Sequence, residues 1–440
     1  MAAALPFLTL PDPLVTGEGA LDPLGLAMIS DRLADQILPG LRARMSRPRF
    51  LTAMAVSAAV CENLEDQLSA DGITPAYLVF EWLVVEAFVR EGNREETRGT
   101  PGTLKAQEVR DSGDSLSHRT YLKTPSVFGF HGVYKPLARD LGIVDDDLRL
   151  AEKGYELLKI WQTEQRLEGF LESALVTGQG RAFRQILRSA VEDGLAAGHT
   201  NRSSTWQGWF LLAKHLSPAS VGAKEAACLA RLLEDPASEP RGEVFRLLRS
   251  VSEFGDASEA QLANEFVLGK CSQDLSKRTK AIVAYESVCA ILEEAFDWIR
   301  FLSTRSRERP IDARMFAAEA RSSELARDLA ARLGAAEQGL AVSPLAVQQL
   351  FAQLAKAFAG VRDATDLFEA ILARHDAVQK AKPPEGKRSW FERSPDGATF
   401  VRAPYRLADR PNSEHVWRRP YRILSVLSFL HDLRGTHGAV

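Results

Sequence analysis

Apolar positions along this chain recur mostly at spacings of three and four, a period that predicts helix almost throughout. Over Leu24–Leu38 the stripe is Leu26, Ile29, Leu33 and Ile37, and Pro39-Gly40 closes the helix. A second, alanine- and leucine-rich helix is predicted over Arg49–Leu68. Thr74-Pro75 reads as the cap and first-turn proline of a third. Its body, Tyr77–Val89, is apolar on most sides, so it belongs at the centre of its domain. Further helices are predicted near 164–176, 181–196, 203–216, 219–234, 239–254, 257–269 and 275–304, with two long ones near 311–333 and 343–379. Ile282, Tyr285, Cys289, Leu292, Phe296 and Ile299 form a heptad-spaced seam. The long helices are expected to pack as an antiparallel bundle.

The period changes in two places. After a polar, glycine-rich connection at 92–102 and a helix from Thr103 to about Asp111, a second helix would bury Val133, Leu137 and Leu141 and stop at Gly142. Ile143 and Val144 would cross the core, Asp145–Asp147 would turn, Leu148–Leu150 would form a strand, and Glu152–Trp161 a closing helix. At 380–422 helical spacing stops. Trp390-Phe391 and Thr399–Val401, separated by Ser394–Gly397, predict a β-hairpin, followed by a last helix over Tyr421–Leu433 that ends at Gly435. The fold class is therefore mainly α and multi-domain, with a small C-terminal hairpin. The expected divisions are an extended arm at 1–20, a helical domain at 21–98, a compact unit at 103–162, a long-helix domain at 163–379 and a basic, aromatic segment at 380–440.

Composition narrows the function. At 440 residues, with 45% hydrophobic and 26% charged side chains, the chain fits two or three soluble domains. A net charge of −3 leaves no chain-wide basic field, so any nucleic-acid site must be local. Cys61, Cys228, Cys271 and Cys289 make no C-x-x-C pair and fit no zinc spacing, so they read as reduced thiols of a cytoplasmic protein. The first residues make a poor signal peptide, and Glu81 and Glu86 interrupt the most apolar stretch, Ala76–Val89, which is too short to span a membrane. The P-loop, H-E-x-x-H, deaminase and G-x-S-x-G patterns are absent, and the histidines show no ligand spacing. Glu385-Gly-Lys387 lacks the earlier acid that a metal-dependent nuclease needs. No catalytic residue, metal or cofactor is expected.

Three basic features remain. Arg42, Arg44, Arg47 and Arg49 crowd one helix junction, where carboxylate partners within the chain are the simpler expectation. Arg119, Lys123, Lys135 and Arg139 lie in a stretch, 117–139, that contains no acid, and are the expected contacts to duplex phosphates. Against phosphate contact, residues 103–161 as a whole hold nine basic and nine acidic side chains, and Asp145–Asp147 would repel DNA. The tail 380–422 carries eleven Lys and Arg, among them Lys387, Arg388, Arg402, Arg418 and Arg419, against five acids, with aromatics interleaved. Packing of that tail on the helices is favoured over an exposed arm. Trp206 and Trp209 are expected in the core rather than as a base platform.

Residues 103–162, best over L-R-L-A-E-K-G-Y-E-L-L, resemble the winged helix-turn-helix superfamily, whose members bind DNA or dock on proteins. Three segments together resemble uncharacterised bacterial proteins encoded beside helicases and nucleases in anti-phage defence islands. They are this unit, L-D-P-L-G-L-A-M-I-S-D-R-L-A-D-Q-I-L-P-G-L and R-R-P-Y-R-I-L-S-V-L-S-F-L-H-D-L-R. That resemblance implies a non-catalytic accessory subunit. It would bind duplex DNA through the winged helix and partners such as a helicase, ATPase or nuclease subunit through its long helices. A protein-only scaffold, or a transcription regulator, is the alternative.

Overall fold

A computed structural model describes residues 22–92, 97–172, 178–250, 257–305, 310–383, 385–394, 398–411 and 417–434, with only the backbone described at 265–266. The expected arm 1–20, the tip of the Ser394–Gly397 turn and the stop at Gly435 lie outside these residues. The protein is mainly helical, with one two-stranded sheet among the described residues. Contacts divide the chain into two compact units, residues 34–272 with 421–440, and residues 1–33 with 273–420. Their boundaries do not follow the composition shifts near 100, 162 and 380.

The first helix, α1 (Ala27–Ile37), begins where the Asp22 carboxylate accepts the N–H groups of Leu26 and Ala27 at 2.8 and 2.9 Å. In the 34–272 unit, α2 (Phe50–Val60) is buried at every position, and α3 (Ala76–Glu91) is buried at Ala76 and from Leu78 to Phe88. Each large apolar side chain hidden this way contributes about 1.5–3 kcal/mol. Helix α2 stops earlier than predicted because Asn63 turns the chain at φ +65°, a conformation asparagine tolerates. Thr74 does not cap α3; its hydroxyl donates back to Asp71 at 2.6 Å.

Next come α4 (Thr103–Asp111), α5 (Pro125–Phe128), α6 (Phe130–Asp140) and α7 (Glu152–Glu164). The expected strand Leu148–Leu150 is reduced to one bridge between Val144 and Leu150. Leu148 sits at φ +63°, and Asp145 accepts the N–H groups of Asp147 and Arg149 at 2.9 and 2.8 Å, so the segment curls as a turn. No helix forms at 165–172: α7 already runs to Glu164, and Arg166 turns at φ +56°. Helices α8 (Gln179–Ala197), α9 (Gly208–Leu216), α10 (Ala223–Leu233) and α11 (Arg241–Arg249) follow. Glu259–Gln261 runs into a π-helical stretch, Leu262–Val267. Helix α3 is packed by α2, α4, α6, α8 and α9, the central position its sequence demanded. The terminal helix Ile423–Arg434 packs on α10 and α11.

The other unit is built on α12 (Gln273–Arg305), whose predicted seam is buried throughout. The expected helix at 311–333 is split into α13 (Ala313–Ala317), capped by Asp312, and α14 (Ala320–Leu340). The expected helix at 343–379 is likewise broken, into α15 (Leu345–Phe358) and α16 (Ala364–Ala381), because Asp363 caps a new start by accepting Asp366 N–H at 2.9 Å. Strands β1 (Phe391–Arg393) and β2 (Thr399–Val401) pair antiparallel, Phe391 opposite Val401. Their aromatics are packed: Trp390 stacks on Tyr405 at 4.4 Å, and Phe296 of α12 meets both Trp390 and Phe391 at 5.5 Å.

His375 of α16 fastens this tail. Its Nδ1 donates to the Pro23 carbonyl at 2.9 Å, and its Nε2 accepts Trp390 N–H at 3.0 Å. Burial lowers its pKa from 6.5 to about 4. The unfolded chain therefore takes up this proton below pH 6.5, whereas the folded chain resists until about 4, so stability is lost as pH falls through that window. Urea unfolding should show the stability advantage of the wild type over His375→Gln shrinking by about 2–3 kcal/mol across it. A pH-independent gap would contradict this role.

Candidate nucleic-acid interface

Helix α6 buries Phe130, His131, Val133, Tyr134, Leu137 and Ala138. Lys135 and Arg139, four apart, therefore share the opposite, outward face. Two neighbours frame that face. A Cβ on Gly132 would meet the Ser126 carbonyl at 2.4 Å, so α5 lies against the first turn of α6. The Tyr134 hydroxyl accepts the N–H groups of Ser46 and Arg47 at 3.1 and 3.0 Å, which pins the arginine-rich junction beside α6. From that junction Arg44 reaches over the exposed ring of Phe128 at 4.5 Å. Arg44 thus borders an exposed apolar tip, Val127-Phe128, that leads into α6.

The remaining sequence candidates are placed elsewhere or committed inside the fold. Lys123 is exposed just before α5, and Arg119 lines an open cleft of about 770 Å³ that also holds Asp71, Asp114, His118 and His199. Among the described residues Arg119, Lys123 and Lys135 form no ion pair, while Arg139 meets Asp146 at 2.7 Å in an exposed, screened contact. Arg42 pairs with Asp35 at 2.8 Å, and Arg47 pairs with Asp432 and donates to the Arg98 carbonyl at 3.0 Å. Arg49 is buried beside Glu225 at 2.9 Å and donates to the His215 carbonyl at 2.7 Å. Burial pulls Arg49 down and pushes Glu225 up, and their opposite charges offset both shifts. In the tail, Arg388 pairs with Glu392, and the half-buried Lys387 donates its backbone N–H to the Gln379 carbonyl at 2.8 Å. Arg402 is buried against Tyr405, and Arg419 pairs with Glu293. Arg418 N–H donates to Glu286 at 2.9 Å, and its guanidinium faces Asp297 at 3.9 Å.

One constellation has no counterpart in the sequence reading. Ser57 Oγ lies 2.9 Å from His131 Nε2, and His131 Nδ1 lies 3.0 Å from Glu81 Oε2. Glu81 also accepts His131 N–H and the Tyr121 hydroxyl, both at 3.0 Å. The order is that of a nucleophile, base and acid, but Ser57 is 2%, His131 1% and Glu81 0% exposed. A nucleophile must meet its substrate, so at this burial the chain of bonds orders the core instead. Glu81 and Glu86, carboxyl groups in an otherwise apolar helix body, signal a need for donors but not which residues supply them. Burial pushes the Cys61 thiol, hydrogen-bonded to Ser57, up to about 12, far from a reactive thiolate.

Among the described residues no group of three or more His, Cys, Asp or Glu side chains could hold a metal ion, and no helix is long and apolar enough to cross a membrane. Compared with protein-family models, with curated proteins and with solved structures, the chain matches none.

Glu81→Leu strands three donors and should cost about 3–5 kcal/mol of unfolding free energy. Ser57→Ala removes one hydrogen bond and should cost about 1 kcal/mol. Gly129→Ala should be as severe as the first, since its Cβ would lie 1.8 Å from Glu81 Oε1. Denaturant titration ranks the three; a Ser57→Ala variant as damaged as Glu81→Leu would invalidate the hub.

Proposed function

We propose that this chain is a non-catalytic, duplex-DNA-binding accessory subunit of a bacterial DNA-targeting system, with the outward face of α6 as its phosphate contact. The observation that carries this reading is that Lys135 and Arg139 share one side of α6 within a stretch, 117–139, that contains no acid. Lys135 forms no ion pair among the described residues and Arg139 only an exposed one, and such surface cations bind backbone phosphates and release condensed counterions. The run from α4 to α7, with its single bridge at 144–150, supports a winged helix-turn-helix with a rudimentary wing. The exposed Asp145–Asp147 turn would keep that wing away from the backbone, leaving α6 and its flanks as the contact. Arg42, Arg47, Arg49, Arg402, Arg418 and Arg419 drop out of the site, because each serves a partner within its own unit. A helicase, ATPase or nuclease subunit would supply the chemistry.

The exposed Val127-Phe128 tip favours a second reading, a docking module for a protein partner. Anisotropy of a labelled duplex across a salt series separates the two. The double variant Lys135→Glu, Arg139→Glu should bind at least about tenfold more weakly and flatten the salt slope by about two contacts. Salt-insensitive binding, or binding untouched by the double variant, would favour the docking reading and sink the DNA reading.

A further inference from the structure

Helix α9 and the turn before it carry two aromatic rings that the core does not fully absorb. Trp209 is fully buried, with its Nε1 donating to the Ser203 carbonyl at 2.9 Å. Trp206, two residues before the helix, is half-buried, and Phe210, in its first turn, is 53% exposed. The Trp206 indole is held rigidly. Trp209 meets it edge-on at 4.8 Å, and it lies so close over Gly208 that a Cβ there would sit 2.2 Å from the ring. A cation lies over one face of each ring: Arg202 at 5.4 Å from the Trp206 centroid, and Lys214, a turn beyond Phe210, at 5.9 Å from its centroid. Asp193 fixes Arg202, while Lys214 forms no ion pair among the described residues. Trp206 and Arg202 wall a groove of about 420 Å³ with Ala182, Gln185, Ile186 and Ser189 of α8.

We infer that this groove and the adjoining Phe210 ledge bind unpaired nucleobases of a single-stranded nucleic acid. A flat ligand suits a braced indole, and the apolar floor of Ala182 and Ile186 suits its faces. The Gln185 amide and Ser189 hydroxyl can meet the polar edge of a base. Phe210 takes the next base, and Lys214 the phosphate between them. Sequence-tolerant binding of short strands follows, because every base offers a π-face. The site shares no residue with the α6 face, so it stands or falls separately from duplex binding.

The test is anisotropy of a short labelled oligothymidylate with the full chain at low salt. Phe210→Ala, at an exposed position, should fold normally and bind about tenfold more weakly or worse. Trp206→Ala should lose at least as much, and Trp206→Phe should retain part. A strand of the same length with abasic sites should bind as weakly as the variants do to oligothymidylate. Duplex affinity should be unchanged by Phe210→Ala. The inference is overturned if oligothymidylate does not bind, if Phe210→Ala binds it as the wild type does, or if the abasic strand binds equally well. It is also overturned if Lys135→Glu removes strand binding while Phe210→Ala leaves it intact.

Discussion

The carboxyl group of Glu81, at the centre of α3, receives three donors, and the arrangement of the surrounding elements follows from them. Leaving one such donor unmet would cost about 1–3 kcal/mol, so helices that fail to deliver them are excluded. Tyr121 brings in the segment ahead of α5, and His131 brings in α6 through both its backbone and its ring. His131 then passes the connection to Ser57 of α2. Since His131 must point inward, the rotation of α6 is settled, which leaves Lys135 at the margin of the buried face and Arg139 exposed. The polar interior thus determines which residues are left to meet a partner.

Arginine serves two purposes in this protein, and sequence context hardly separates them. Arg49 and Arg44 stand five residues apart, yet one is 1% exposed beside Glu225 and the other lies on the surface over Phe128. Buried guanidinium groups need carboxylates and carbonyls that satisfy their geometry, which Arg49 finds in Glu225, His215 and Ser217. Those partners come from distant helices, so the local charge run around 42–49 carried no mark of them. The tail behaves alike: its composition favoured packing on the helices without naming partners, and α12 supplies them as Glu286, Glu293 and Asp297.

What was legible in the sequence is what local chemistry decides. The α12 seam, the bounds of α4 and the presence of the C-terminal hairpin follow from spacing and turn residues, and these agree with the structure. Breaks set by one residue were missed: Asn63 at positive φ, Leu148 at positive φ, and Asp363 as a new cap within an unbroken apolar stripe. The Ser57–His131–Glu81 chain was invisible because its members come from three separate helices. Trp206 was expected inside with Trp209, but the chain enters α9 only at Gly208, and the bend before it turns Trp206 outward.

The terminal helix Ile423–Arg434 carries a consequence for how this protein is made. It completes the unit formed by residues 34–272, where Glu259 receives the N–H groups of Tyr421 and Ile423 at 3.0 and 2.6 Å and Asp432 receives Arg47. During synthesis the ribosome must add all of 273–420 before those donors exist. Until then the surfaces of α10 and α11 that the helix covers stay wet, and Phe245 lacks its neighbour Phe429. Such a nascent chain holds apolar surface open to solvent, and to other chains, until its last helix arrives.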